Sequence, residues 1–420
     1  MFIDVTTKYV CGIDLHARTM SLCIMDKNGK SLLRKSIPCD INILMDCLKP
    51  YRQSITVGVE STFNWYWLID GLRAFKVPCH LGHALYIKQM SGKKHKNDPV
   101  DARGIADLLR TNRFPPAYAY PAEMRSTRDL LRRRHFFVRR RAGSYTHLQN
   151  TLNQHGNMKS FRADVHRKSD RRTLVDLTSD PEVQKILSCD FDYIESLDTI
   201  IDDLENVISG KAHHHDRKHF KLLQTIPGCG AITALTVLYE THTIERFASA
   251  QCYSSYARVV RADNESGGSS LGRSSNDKIG NPYLKWSLSE IGTRMVNQSV
   301  PIRQWYDKQV TQHGTGGGMA RLRHKIAIAI FFMMKHNIVF DEYKFLGIEK
   351  DRSLNPAHNR KETSGQASEP SRVIGKRAGL FSRLMRKKTI AHGKRKLPGR
   401  RSLHLTGKRK VRTTSKTLGG

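Results

Sequence analysis

Val10-Cys11-Gly12-Ile13-Asp14 is an apolar run closed by a carboxylate. An unbroken apolar run of this length predicts a strand buried on both faces, with Asp14 at the rim of its sheet. Ser21 to Met25 is a second mainly apolar run, Asp26-Lys27-Asn28-Gly29 contains an Asn-Gly turn, and Ser31 to Ile37 follows. That is a hairpin signal, so residues 8–40 read as three strands. Ile41 to Leu48 has helical spacing. Ile55-Thr56-Val57-Gly58-Val59 repeats the buried-strand pattern and ends in Glu60. Trp65, Leu68, Ile69 and Leu72 recur at helical spacing, and Val77 to Leu81 reads as a further strand. Strands first, then strand–helix alternation, predict a mixed α/β domain with helices on the faces of the sheet.

The chain has 420 residues, more than the roughly 250–300 at which a single core stops growing, so two or three domains are expected. Lys and Arg number 71 against 38 Asp and Glu, a formal charge of +33. This excess points to a polyanionic partner. It is unevenly spread: from Ser371 to Gly420 there is no acid at all. Residues 349–420, rich in Ser, Asn, Pro, Gly and basic residues, read as a disordered basic tail. No run approaches the ~20 apolar residues of a membrane span, and Ile326 to Met334 reads as a buried helix. The N-terminus has no signal-peptide pattern, so the protein is expected in the cytoplasm with the nucleoid, not in a membrane. Eight cysteines without a Cys-x-x-Cys pair read as reduced, mostly buried thiols, not as a zinc site.

Residues 121–215 are predicted helical and elongated. Ile194, Leu197, Ile201, Leu204 and Ile208 step by three and four, the seam of a coiled coil. The earlier half carries Arg132-Arg133-Arg134 and Arg139-Arg140-Arg141, whereas the later half is acidic. Two helices packed with opposite charge, or two solvated faces, fit this pattern equally well. Residues 216–348 form a mainly helical unit.

Asp14 and Glu60 each end a buried strand run. Carboxylates at a sheet rim need pairing, solvent or a cation, and two strands presenting acids at their ends resemble polynucleotide-cleaving folds with two divalent ions. Hard oxygen ligands suit Mg²⁺ or Mn²⁺. The third element is Lys96-Asn97-Asp98-Pro99-Val100-Asp101-Ala102-Arg103. Here Asp98 reads as a helix N-cap before Pro99, and Asp101 lies in the positive end of the macrodipole; capping alone explains both acids. The same geometry also lets Asp98 and Asp101 face the strand rims, so that four acids converge on metal.

In the second unit, Leu222 to Thr233 reads as a helix, a Pro227-Gly228-Cys229-Gly230 turn and a second helix. Such a helix-hairpin-helix lets backbone N–H groups approach a DNA phosphate, although a tight helix connection uses the same glycines. Asn264-Glu265-Ser266-Gly267-Gly268-Ser269-Ser270-Leu271-Gly272-Arg273 is a Ser/Gly stretch among Arg258, Arg261 and Arg273, cations able to clamp a phosphodiester. His213-His214-His215 with His219 reads as a solvated loop, not a metal site, and Trp65-Tyr66-Trp67 as packing on the sheet.

Taken together, these motifs resemble one family: the RNA-guided insertion-sequence transposases of the IS110 and IS1111 groups, related to the Piv and MooV DNA invertases. The resemblance rests on Gly12-Ile13-Asp14, Glu60-Ser61-Thr62 before Tyr66-Trp67-Leu68, and Lys96-Asn97-Asp98-x-x-Asp101-Ala102. It continues through Ile226-Pro227-Gly228-x-Gly230, Ser254-x-Tyr256-Ala257, Asn264-x-Ser266-Gly267-Gly268 and Gly280-Asn281-Pro282-Tyr283-Leu284-Lys285-Trp286. It implies an α/β plus α architecture: a ribonuclease-H/RuvC-like DEDD domain over 1–120, a coiled-coil helical linker over 121–215, and a helical transposase domain over 216–348. It further implies that Asp14, Glu60, Asp98 and Asp101 bind Mg²⁺, that Ser266 attacks the DNA phosphate to form a phosphoserine link, and that the protein works on double-stranded DNA as a dimer or tetramer with a bridge RNA. One departure is Glu265, which stands where the family often has a serine before Ser266; Ser269 and Ser270 are the substitutes. A RuvC-like structure-specific endonuclease, or a basic nucleic-acid-binding protein without catalysis, are the competing readings. Four ordered acids argue against a pure binder.

Overall fold

The computed structural model describes residues 3–91, 98–155, 164–260, 263–266, 269–273 and 279–348, of which 91, 98–99, 212–215, 263–266 and 269–273 are described by backbone alone. Residues 3–348 fall within one compact unit, and the predicted tail 349–420 lies outside the described residues.

The N-terminal layer is a five-stranded sheet. Strands β1 (Tyr9–Leu15), β2 (Thr19–Asp26) and β3 (Ser31–Pro38) form an antiparallel meander, followed by α1 (Ile41–Leu48), β4 (Ile55–Glu60), α2 (Tyr66–Ala74) and β5 (Cys79–Gly82). The strand order is β3-β2-β1-β4-β5, with β4 parallel to both β1 and β5. The antiparallel pairs are joined by short turns at residues 16–18 and at Asn28-Gly29, where Gly29 takes φ +85°. Parallel ones require the α1 and α2 crossovers.

Alternation along the strands sorts the two faces. Cys11, Ile13, Leu15, Val57 and Val59 share a core with Leu44 and Leu48 of α1 and Leu68 and Leu72 of α2. Val10, Cys23 and Met25, on the other face, meet Ala102, Ile105, Ala106 and Leu109 of α4 (Asp98–Arg110), which follows α3 (Ala84–Ser91). Trp65 is buried in the first of these cores, and Arg125 lies 4.8 Å from its ring centre and 4.7 Å from that of Tyr66, so this aromatic run is packing.

The middle of the chain is a helix pair. In α5 (Ala122–His155) and α7 (Pro181–His215), flanking the short α6 (Arg171–Val175), ion pairs join Arg134 to Glu205, Arg141 to Asp198 and His147 to Asp190. Residue numbers rise along α5 as they fall along α7, so the helices run antiparallel. Of the two readings of the charged helices, packing of opposite charges is the one found. The predicted seam is buried: Ile194, Leu197, Ile201 and Ile208 are at most 2% exposed.

The C-terminal part is helical: α8 (Arg217–Leu223), α9 (Ala231–Thr241), α10 (Ala250–Tyr256), the strand pair β6 (Asp263–Ser266) and β7 (Ser269–Arg273), α11 (Pro282–Gln298), α12 (Val300–His336) and α13 (Glu342–Leu346). Ile326, Ala327, Ile330, Phe331, Met333 and Met334 of α12 are buried in its core, as expected of that apolar run. Among the described residues no helix is long and apolar enough to cross a membrane. All eight cysteines are free, but the expectation that most are buried is wrong. Only Cys11, Cys23 and Cys229 are buried, and Cys189 and Cys252 are exposed on helix surfaces.

Candidate active site

Strand register decides where the acids point. Gly12 of β1 pairs with Gly58 of β4, and Ile13 with Val59. Asp14 and Glu60 are the next residues on these adjacent strands, so they emerge side by side at the rim. Both share the parity of Gly12 and Gly58, which places them on the face covered by α4. The close approach of α4 depends on the missing side chain of Gly12. A Cβ there would lie 2.1 Å from the Ala102 carbonyl oxygen and 2.4 Å from the Ala106 nitrogen. Asp98 and Asp101 occupy the N-terminal turn of this same helix, just ahead of the contact point.

Asp14 is only 7% exposed, and the His16 Nε2 lies 3.3 Å from its Oδ2. The backbone around it is pinned, since Asn64 donates its Nδ2–H to the His16 carbonyl at 2.7 Å. Glu60 and Asp101 line one cavity of about 370 Å³ between α3 and α4, together with Lys88, Arg103, Asp107 and Arg113. The acids of β1, β4 and α4 thus gather on one side of the sheet. Asp98 is placed by its backbone only. Among the residues with described side chains, no three His, Cys, Asp or Glu residues close into a metal-binding group.

The second half of the predicted site lies on the C-terminal helices. Between α8 and α9 the Pro227-Gly228-Cys229-Gly230 turn is present as predicted. Gly228 has φ +81°, and a Cβ on it would meet the Met295 nitrogen at 2.8 Å and the Arg294 Cβ at 2.6 Å. These contacts make it a packing glycine against α11, whereas the sequence favoured phosphate binding over a tight helix connection. Gly228→Ala is expected to cost about 2 kcal/mol through strain and overpacking, read as a lowered midpoint in urea denaturation; an unchanged midpoint would show that α11 does not press on this turn.

Ser266 ends β6 and pairs with Ser269 across the strand pair. Arg273 closes β7, whereas Arg261 lies outside the described residues. Arg258 has φ +56° and donates its Nε–H to the Gly280 carbonyl at 2.8 Å, so it braces the base of the strand pair. Burial lowers its pKa. His219 bridges Asp216 and the Met334 carbonyl, an internal structural role.

One cluster escaped the sequence reading. Glu240 of α9 is fully buried and takes Arg128 at 2.8 Å, Arg132 at 2.6 Å and the Asn281 Nδ2–H at 2.7 Å. Arg246 stacks within 3.9 Å of the Tyr118 ring centre and donates to the Tyr120 hydroxyl. Tyr120 in turn donates to the Glu240 carbonyl at 2.6 Å. The available signal was a lone carboxylate at the end of the apolar run Ala231 to Tyr239.

Comparison with known proteins covers both halves. Residues 11–157, which include all four acids, match a family described as transposase, the DEDD transposases of IS110 type. Residues 220–307, which include Ser266, match the transposase IS116/IS110/IS902 family. The transposase for insertion sequence element IS1111A of Coxiella burnetii (strain RSA 493 / Nine Mile phase I) is 22% identical over 337 residues, 77% of this chain and 89% of that relative. With matches that together span more than half of the chain and take in both parts of the site, this protein belongs to the IS110/IS1111 family of insertion-sequence transposases.

Proposed function

We propose that the chain cleaves, exchanges and rejoins DNA strands at the ends of an insertion sequence, using Asp14, Glu60, Asp98 and Asp101 on one side and Ser266 on the other. The observation that carries this reading is the register of β1 on β4. It brings Asp14 and Glu60 out together beneath the helix that bears the other two acids. The sheet order β3-β2-β1-β4-β5, with an antiparallel meander joined to parallel strands, supports a ribonuclease-H-like assignment. The antiparallel α5–α7 pair supports a coiled-coil linker.

The donor set fits a divalent cation. It is all carboxylate oxygen, the preference of Mg²⁺ or Mn²⁺, and Asp14 is too buried to be an idle surface charge. When bound, such ions stabilise charge developing on a phosphodiester. The protein's own part is covalent. The Ser266 oxygen bonds to phosphorus as the P–O bond to the departing deoxyribose breaks; the serine proton leaves and the sugar oxygen gains one. A second strand's hydroxyl reverses these steps. Bond energy is conserved, so no nucleotide is consumed. Arg258, Arg273 and the turn at Pro227, Gly228 and Gly230 are proposed DNA contacts, and so is Arg261, which lies outside the described residues. Double-stranded DNA is the substrate, a bridge RNA pairs with donor and target, and a dimer or tetramer holds the duplexes in the cytoplasm.

The test is a labelling experiment. Protein is incubated with end-labelled element DNA, its candidate RNA and Mg²⁺, then denatured. A labelled protein–DNA adduct is expected from the parent and none from Ser266→Ala. Cleavage that never yields an adduct would instead assign attack by water, the endonuclease reading. An adduct that survives in Ser266→Ala would move the nucleophile to Ser269 or Ser270.

A further inference from the structure

Not every arginine of α5 is used by the fold. Arg128 and Arg132 pair with Glu240, Arg134 with Glu205 and Arg141 with Asp198. Arg133, Arg139 and Arg140 are exposed, and among the described residues no carboxylate pairs with them. Between them stands Phe136, 42% exposed, with the Arg140 guanidinium 5.1 Å and that of Arg133 5.8 Å from its ring centre. An exposed phenylalanine flanked by unpaired cations gains nothing from the fold.

Phe136, Arg139 and Arg140 border a groove of about 640 Å³ between α5 and α7, and Arg133 reaches the Phe136 ring beside it. Tyr193, 50% exposed, lies on its α7 wall. The carboxylate that lines it, Asp190, is held by His147 at 3.1 Å. Phe136, Arg140, Gly143 and His147 follow one another at helical spacing along it. Gly143 is the unusual member. It sits in the interior of a 34-residue helix, where glycine is the poorest residue after proline, yet no atom lies within 4 Å of where its Cβ would be. No packing contact in the protein requires a glycine there, and the space beside it is part of the groove. The groove ends at Tyr283, in the first turn of α11. Asn281 caps that turn.

We propose that this groove binds an unpaired polynucleotide strand, with bases stacked on Phe136 and Tyr193 and phosphates on Arg133, Arg139 and Arg140. Exposed rings set between cations suit single strands, whose bases offer free faces; a duplex keeps those faces stacked inside. His135 in the groove wall is pushed down to about 4 by burial and by Arg139 and Arg134, so it is neutral at physiological pH and adds no positive charge to the groove.

Binding of fluorescein-labelled dT15, U15 and a 15-base-pair duplex to the full chain, followed by anisotropy over a salt series, tests this. Changing Arg133, Arg139 and Arg140 together to Gln should lower the slope of log affinity against log salt by about 2 on the single strands. Phe136→Ala should weaken single strands roughly tenfold and leave the duplex unchanged. Gly143→Glu should do the same, whereas Gly143→Ala should bind like the parent, which separates occlusion of the groove from damage to the helix. Photo-crosslinking of an iodouracil-substituted strand should label the peptide bearing Phe136 or Tyr193. Tighter U15 binding assigns the groove to RNA and tighter dT15 binding assigns it to DNA, each in support. An unchanged salt slope, equal losses on strand and duplex, or crosslinks confined to residues beyond 348 overturns the proposal. No bond is broken in these measurements, so their outcome is independent of the role given to Ser266.

Discussion

Gly12→Ala is expected to unseat α4 and to cut transposition on the order of 100-fold, although it adds only a single methyl group. The added Cβ would lie 2.1 Å from the Ala102 carbonyl oxygen and 2.4 Å from the Ala106 nitrogen. Both are helix backbone atoms, so no rotamer change relieves the clash. Cys11 and Ile13, on either side, are fully buried, which prevents β1 from retreating. The helix must move instead. Overpacking in a core costs about 1–3 kcal/mol when side chains can adjust; with backbone on both sides about 3 kcal/mol or more is expected, read as a lowered denaturation midpoint. The functional loss should be larger than the stability loss. Since α4 carries Asp98 and Asp101 past the rim acids Asp14 and Glu60, displacement by about 1 Å is enough to cost on the order of 100-fold in rate. Gly143→Ala is the matched control: with open space around it, alanine should stabilise the helix by about 0.5–1 kcal/mol. A Gly12→Ala protein with the parent's midpoint and transposition frequency would show that α4 is not held this close to the sheet.

These two glycines mark what can be read from a sequence and what cannot. The strands around Gly12 were legible because buried runs, alternation and the Asn28-Gly29 turn are local signals. Asp14 and Glu60 were legible as strand ends for the same reason. That they share a face was not, because it depends on the β1–β4 register, a pairing between residues some 45 positions apart. Opposite charge on α5 and α7 was visible, but it fitted solvated faces as well as packed ones until the pairs Arg134–Glu205 and Arg141–Asp198 were located. In one dimension Arg132-Arg133-Arg134 looks uniform. In the structure each arginine has a different destination: Glu240, solvent and Glu205.

Glu240→Ala is expected to be the most destabilising single change in the helical part. It would leave Arg128, 8% exposed, together with Arg132 and Asn281 without their common acceptor. Breaking one side of a buried ion pair costs about 3–5 kcal/mol, because the remaining charges stay buried and uncompensated. The acid sensitivity follows from the same contacts. Burial alone would raise the Glu240 pKa, but the hydrogen bond from Arg132 and the charges of Arg128 and Arg132 outweigh it and hold the carboxyl below the usual glutamate range. A carboxylate depressed in the folded state contributes stability above its unfolded value of about 4.3, and loses it as pH falls through the folded value. Parent and variant should therefore differ fully at neutral pH and converge in acid. A constant difference down to pH 3 would show that Glu240 acts through its shape and not its charge. The consequence for the site is specific. Asn281 accepts from the Tyr283 and Leu284 backbone N–H groups while donating to Glu240, and its own N–H donates to the Tyr256 carbonyl at 2.6 Å. The end of α10 and the start of α11, which flank the β6–β7 strand pair in sequence, are thus tied at one buried carboxylate. Glu240→Gln keeps the shape and removes the charge. It should sit between parent and alanine in stability, and lose transposition in proportion to the loosening of that tie.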